Sequence, residues 1–314
     1  MNFAQRPRVP RRAVHGVLLL DKPLGLSSND ALQKAKRLFR AEKAGHTGTL
    51  DPLASGLLPL CFGAATKFSQ VSLDADKRYL ATLKLGQTTT TADAEGELLR
   101  ERSVVGLTRA QIDAACLRFT GTVDQVPPMH SALKKDGKAL YEYARAGIEV
   151  ERQARRVTIH SLAVVDWQAD QLTIDVRCSK GTYIRTLAED IGEALGCGAH
   201  LSALRRTASG GLSVADAVTL DALQLMDEAA RDALLQPADA LLADWPQVRL
   251  NDDDAGRFLS GLRRRVALTD QPAVRVYGPE PRAFLGSAHV TAGELIADRL
   301  LSPVEVQGLL STQP

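Results

Sequence analysis

The chain has 314 residues, 45% of them apolar and 24% charged, with a formal net charge of +2. That profile predicts a soluble globular protein built from one large domain and a small one. It excludes a bilayer-crossing helix, since no apolar run approaches the ~18 residues needed, and the scattered Cys61, Cys116, Cys178 and Cys197 fit neither a disulfide framework nor a zinc site.

Residues 1–13 are basic and proline-rich and are expected to be disordered. The run Val14 to Leu20 runs into Asp21-Lys22-Pro23 and reads as a buried strand rather than a secretory signal, so a cytosolic protein is expected. Ser27 or Ser28 can cap a helix with the apolar face Ala31, Leu32, Ala35, Leu38 and Phe39. A turn-rich segment around Asp51 follows, then a short helix from Ala64 to Val71. Tyr79 to Leu85 predicts a strand, and Thr108 with Gln111 a capping box opening a helix to Phe119. Leu172, Ile174, Val176 and Cys178 alternate with polar residues as a half-buried strand does, ahead of a helix of about 14 residues ending at Gly196. The acidic stretch Thr219 to Leu242 reads as helices closing the large domain, with a boundary at Asp244-Trp245-Pro246. The remainder predicts a helix over Asp252 to Leu259 and short strands near Ala273 to Val276 and Ala283 to His289. Strands and helices mix without a β-α-β rhythm, which favours an α+β class.

Charge is unevenly distributed. Residues 1–50 carry ten Lys/Arg against three Asp/Glu, and a second basic stretch lies between Ser131 and Arg156. Two basic stretches flanking a turn-rich loop fit contact with phosphates.

The most informative segment is Gly45-His46-Thr47-Gly48-Thr49-Leu50-Asp51-Pro52-Leu53-Ala54-Ser55-Gly56. Asp-Pro in such a setting is commonly a turn or a helix cap. A short carboxylate among three glycines and a proline is also how a nucleophilic or acid/base group is held rigid at a cleft edge. The whole segment resembles the catalytic motif of the TruB-type pseudouridine synthases, and the resemblance extends over roughly residues 14–210. It implies a mixed-sheet catalytic domain over 14–246 with an RNA-gripping insertion at about 125–156, and a PUA-like RNA-binding module over 247–314. It also implies an enzyme that isomerises the T-loop uridine, position 55, of tRNA. Such an isomerisation involves no redox change and requires no cofactor.

By that resemblance Asp51 is the essential catalytic residue. Tyr79, by itself a core or interface residue, would stack on the uracil. Arg185, by itself a surface ion-pair partner, would keep Asp51 ionised against the effect of burial. Tyr183 and Leu204 would line the same pocket, and His46 would present an exposed imidazole to the T-loop. Lys22 would support the catalytic loop. His130 stands where the family commonly has an aromatic residue, often Tyr. The partner implied is the tRNA T-arm, with no obligate protein partner and a monomer by default. A guide-RNA-dependent synthase and a tRNA-folding chaperone are the alternatives.

Overall fold

The computed structural model describes residues 10–131, 133–279 and 283–311. Its larger part is a mixed sheet built from β1 (Gly16–Lys22), β2 (Ala54–Phe62), β3 (Lys77–Leu85), β4 (Gly121–Gln125), β5 (Arg155–Gln168), β6 (Gln171–Cys178), β7 (Ala199–Ser209) and β8 (Val218–Thr219). The strand order is β8-β1-β2-β7-β3-β6-β5-β4, with Ala44–His46 added beside β2 and Leu212–Ser213 beside β7. Only the β8/β1 and β2/β7 pairs are parallel.

Period-two alternation divides this sheet between two cores. Leu18 and Leu20 of β1, with Leu58, Leu60 and Phe62 of β2, face helix α1 (Ser28–Leu38), which contributes Ala31, Leu32 and Ala35. Ser27 caps that helix by accepting from the Asp30 N–H at 3.1 Å. On the same sheet face, β3 and β6 pack against helix α2 (Ile184–Ala194) through Leu83, Ile174, Val176, Leu187 and Ile191. Leu204 lies in register with both Ala54 and Ala81, and it joins the two halves of this face.

The opposite face carries Val17, Leu19, Leu57 and Cys61. They are covered by Phe68, Leu242 and three residues from the C-terminal part, Tyr277, Phe284 and Leu301. That part is a five-stranded sheet in the order Gln247–Arg249, Gln271–Tyr277, Phe284–Thr291, Glu294–Leu300, Arg264–Arg265, with its own core around Phe258 and Val274.

Several expectations need correction. The residue 1–13 tail was expected to be disordered. Residues 1–9 lie outside the described residues, but Arg12 is fixed by a forked pair on Asp232, with Nη1 at 2.7 Å, and by donation to the Phe39 carbonyl at 3.1 Å. The segment from Gly63 to Phe68 is a 3-10 turn leading into a helix at Ser69–Asp74. Helix α2 has 11 residues, not about 14. Strands β2, β4, β5, β7 and β8 of the large sheet carry no strand expectation from the sequence.

Candidate active site

The loop bearing Asp51 bridges the Ala44–His46 strand and β2. It is clamped from several directions. The Ser28 hydroxyl accepts from the Leu50 N–H at 2.7 Å and donates to the Leu50 carbonyl at 3.0 Å. Thr47 is fully buried, and its hydroxyl accepts from that of Ser72 at 2.9 Å. Downstream, the Gly25 N–H donates to the Pro52 carbonyl at 2.9 Å, which fastens the Pro23–Leu26 turn to the loop. Gly48 (φ +86°) and Gly56 (φ +98°) adopt the left-handed region, whereas Gly45 does not.

These constraints leave the Asp51 side chain 46% exposed, open to a substrate, while one oxygen faces a buried cation. Arg185, from the first turn of α2, places Nη2 3.1 Å from Asp51 Oδ2. Its Nη1 lies 3.3 Å from Oδ2 of Asp93, which is 3% exposed. The same guanidinium donates to the Thr91 carbonyl at 3.2 Å and the His130 carbonyl at 2.6 Å. Arg185 is thus held by two carbonyls and two carboxylates, and it presents one edge to Asp51. The contact with residue 130 uses its backbone carbonyl, so the imidazole does not enter this network.

Tyr79 lies on β3 opposite Val176 on one side and Arg206 on the other, packed against both cores of the cleft face. Burial pushes its phenol pKa up, and the Arg206 cation opposes that by charge and a hydrogen bond. Leu204 lies two residues before Arg206 on β7. Tyr183 stands just before α2, its backbone locked to the Gln125 side chain by donation at 3.0 Å. Burial raises its phenol pKa too, opposed by the charges of Arg155 and Arg185.

Lys22 is fully buried and donates to the Pro23 and Leu26 carbonyls at 2.9 and 2.6 Å, inside the turn fastened to the loop. Burial lowers its pKa to about 8; the Asp51 charge opposes the fall and Arg206 adds to it. His46 departs from expectation. It is half-buried, and its Nδ1 is buried with no hydrogen-bond partner among the described residues. Burial first, then the Arg206 cation, lowers its pKa, which favours a neutral ring.

Two residues of this site had no role assigned from the sequence. Asp93 sits inside a Thr- and Gly-rich pattern whose spacing gives no hint of burial. Arg206 is 1% exposed; its Nε donates to the Leu57 carbonyl at 2.7 Å and its Nη2 to the Gly48 carbonyl at 3.1 Å. It therefore ties β2 and the Asp51 loop to β7. Its neighbour Arg205 pairs instead with Asp21 at 2.7 Å. Nothing in the local sequence separates the two arginines.

Comparison with known proteins gives a consistent result. Residues 36–184 match the TruB family pseudouridylate synthase N-terminal domain, residues 185–243 the tRNA pseudouridylate synthase B C-terminal domain, and residues 246–301 the Pseudouridine synthase II TruB C-terminal domain. The tRNA pseudouridine synthase B of Verminephrobacter eiseniae is 60% identical over 99% of this chain and 96% of its own length. That of Cupriavidus pinatubonensis is 62% identical over 94% of this chain and 96% of its own. Among solved structures, a chain of a Cbf5-Nop10-Gar1 complex superposes with a TM-score of 0.70 at 25% identity, covering 93% of this chain and 86% of that one. A chain of an H/ACA RNP bound to a substrate RNA containing 2'-deoxyuridine gives a TM-score of 0.68 at 23% identity, covering 92% and 86%. With family matches running from residue 36 to 301 and relatives this similar over nearly their whole length, the chain belongs to the TruB family of pseudouridylate synthases.

Proposed function

We propose that this chain converts a uridine of tRNA into pseudouridine, and that the uridine is the T-loop one at position 55. The observation that carries the reading is the half-exposed Asp51 carboxylate fixed 3.1 Å from a buried Arg185, with the phenols of Tyr79 and Tyr183 near enough to feel its charge. The N1–C1′ bond breaks, the uracil turns, and C5 bonds to C1′; C5 gives up its proton and the freed N1 takes one up. A fixed, ionised carboxylate serves this by attacking C1′ or C6 or by taking a sugar proton. Tyr79 supplies the wall against which the extruded base stacks.

Relatives about 60% identical that are named tRNA pseudouridine synthase B favour a stand-alone tRNA enzyme over a guided one. The insertion supports an RNA grip: Lys138 lies over the Tyr143 ring at 4.7 Å and Arg145 over Tyr141 at 5.3 Å, leaving a cationic, aromatic surface. The C-terminal five-stranded sheet is read as a PUA-like RNA-binding module. No helix among the described residues is long and apolar enough to cross a membrane; a cytoplasmic monomer is part of the same reading.

The test is tritium release from unmodified tRNA transcript labelled at uracil C5. Wild-type protein without guide RNA releases tritium stoichiometrically with tRNA, and Asp51→Asn, which keeps the side-chain shape, releases none. Tight tRNA binding without release would favour the guided synthase or the chaperone.

A further inference from the structure

Arg11, Gln33, Lys36, Arg37, Arg40 and Ala41 line a cavity of about 190 Å³ on the surface beside α1. Its lining holds four cations and no carboxylate. Lys36 and Arg37 stand in the last turn of α1, where cations complement the helix dipole. That complement does not explain Arg11 and Arg40, which reach the cavity from outside the helix. Arg40 does so from a left-handed backbone (φ 50°) that a residue with a side chain seldom adopts.

Arg11 is delivered by a built scaffold. The Arg12 N–H donates to the Arg40 carbonyl at 2.9 Å, and the Glu42 N–H donates to the Arg12 carbonyl at 3.1 Å. The Arg12 side chain is anchored on Asp232 and Phe39, as described. Among the described residues, the polar contacts of these cations leave donors open to a ligand. Glu228 takes Nη2 of Arg40 at 2.5 Å, and Arg37 Nε donates to the Gln33 carbonyl at 3.2 Å.

The cavity also has a defined place relative to the chemistry. Ser28, at the start of α1, is bonded to Leu50 next to Asp51, and the cavity lies at the other end of this 11-residue helix. At 1.5 Å per residue that separation is roughly 15 Å. Helix α1 covers the sheet face against which Tyr79 and Leu204 also pack.

We propose that this pocket binds a backbone phosphodiester of the substrate RNA, roughly 15 Å along α1 from the loop that bears Asp51. The proposal rests on reading tRNA as the substrate, and it extends the footprint beyond the catalytic cleft and the inserted grip.

The test compares full-length wild-type protein with the Lys36→Ala/Arg37→Ala variant, measuring affinity for unmodified tRNA transcript across a salt series and tritium release at saturating tRNA. These side chains project from the surface end of a helix whose buried face is untouched. The expected result is an affinity loss of about tenfold, with the slope of log K against log salt reduced by about one to two units. The release rate at saturation stays at the wild-type level. A control removing equal charge elsewhere, Arg109→Ala/Arg118→Ala, keeps wild-type affinity. Unchanged affinity and slope in the first variant overturn the proposal, and so does an equal loss in the control. Millimolar inorganic phosphate at constant ionic strength leaves wild-type tRNA affinity intact; a loss matching the variant's would make this a free-phosphate site instead. Absence of tritium release from the wild type would refute the substrate reading itself, a separate outcome.

Discussion

Asp93→Asn isolates what the second carboxylate does for the first. The substitution removes a charge 3.3 Å from Arg185 Nη1 while keeping an oxygen that can accept from the Glu95 N–H, now at 3.1 Å. With an effective dielectric constant of ~20, two unit charges at that distance attract by about 5 kcal/mol. Relief of Asp93's own desolvation offsets part of this, and Asp51 still pairs with Arg185, though through an exposed and screened carboxylate. The net loss expected is about 3 kcal/mol, or roughly 6–12 °C in the melting temperature of the catalytic part. Among the described residues, Arg185 would then keep Asp51 as its one ion-pair partner, and the shift in its position should slow single-turnover tritium release by up to ~100-fold. Asp175→Asn, at an exposed pair with Arg78, is the control and should cost under about 1 kcal/mol. An Asp93→Asn protein that melts and turns over like wild type would falsify the idea that Arg185 is shared.

Three further outcomes follow from neighbouring residues. Arg206→Lys cannot serve both the Leu57 and Gly48 carbonyls; differential scanning calorimetry should show a loss of about 1–3 kcal/mol, and a wild-type melting curve would contradict the bridging role. In Gly56→Ala the new Cβ would lie 2.3 Å from the Arg206 carbonyl oxygen at a φ of +98°, so a loss exceeding about 3 kcal/mol is expected in urea unfolding. Lys22 and Lys77 are both lowered by burial to about 8, so above that pH unfolding takes up protons and their contribution to stability rises with pH. The window is pH 8 to 9, because buried thiols such as Cys61, raised to about 12, reverse the trend at higher pH. In Lys22→Met the rise should be shallower by about 1 kcal/mol per pH unit, read from denaturant midpoints; an unchanged slope would assign the proton uptake elsewhere.

Much of the fold is visible in local pattern. The Ser27 cap, the Thr108–Gln111 capping box and the alternation from Leu172 to Cys178 each report a neighbour a few residues away, and each forms where expected. Strand β7 is hidden because its residues, Ala-His-Leu-Ser-Ala-Leu-Arg-Arg-Thr-Ala-Ser, have little strand propensity. It becomes a strand through pairing with β2 and β3, whose partners lie more than a hundred residues away. Strand β5 turns Val157, Ile159, Leu162, Val164 and Trp167 to the core, but register shifts between Ile159 and Ser161 and between Val164 and Asp166 break the period-two stripe. The same physics sorts the site. Asp51 sits in an unusual run of residues, whereas the burial of Asp93 and Arg206 is decided by distant chain segments that no short window contains.

The two-sided β1 strand has a consequence for how the protein is made. Leu18 and Leu20 find most of their partners between residues 14 and 62, with Leu220 and Leu223 joining later, but Val17 and Leu19 share a core with Tyr277, Phe284 and Leu301. A ribosome adding about 5–20 residues per second delivers those last partners on the order of 10–50 seconds after β1 emerges. Throughout that interval one side of the first strand is without its final cover. The nascent chain must therefore carry an apolar surface shielded by holding chaperones or by transient non-native contacts, and substitutions in the C-terminal sheet should lower yield in vivo by leaving the first strand waiting.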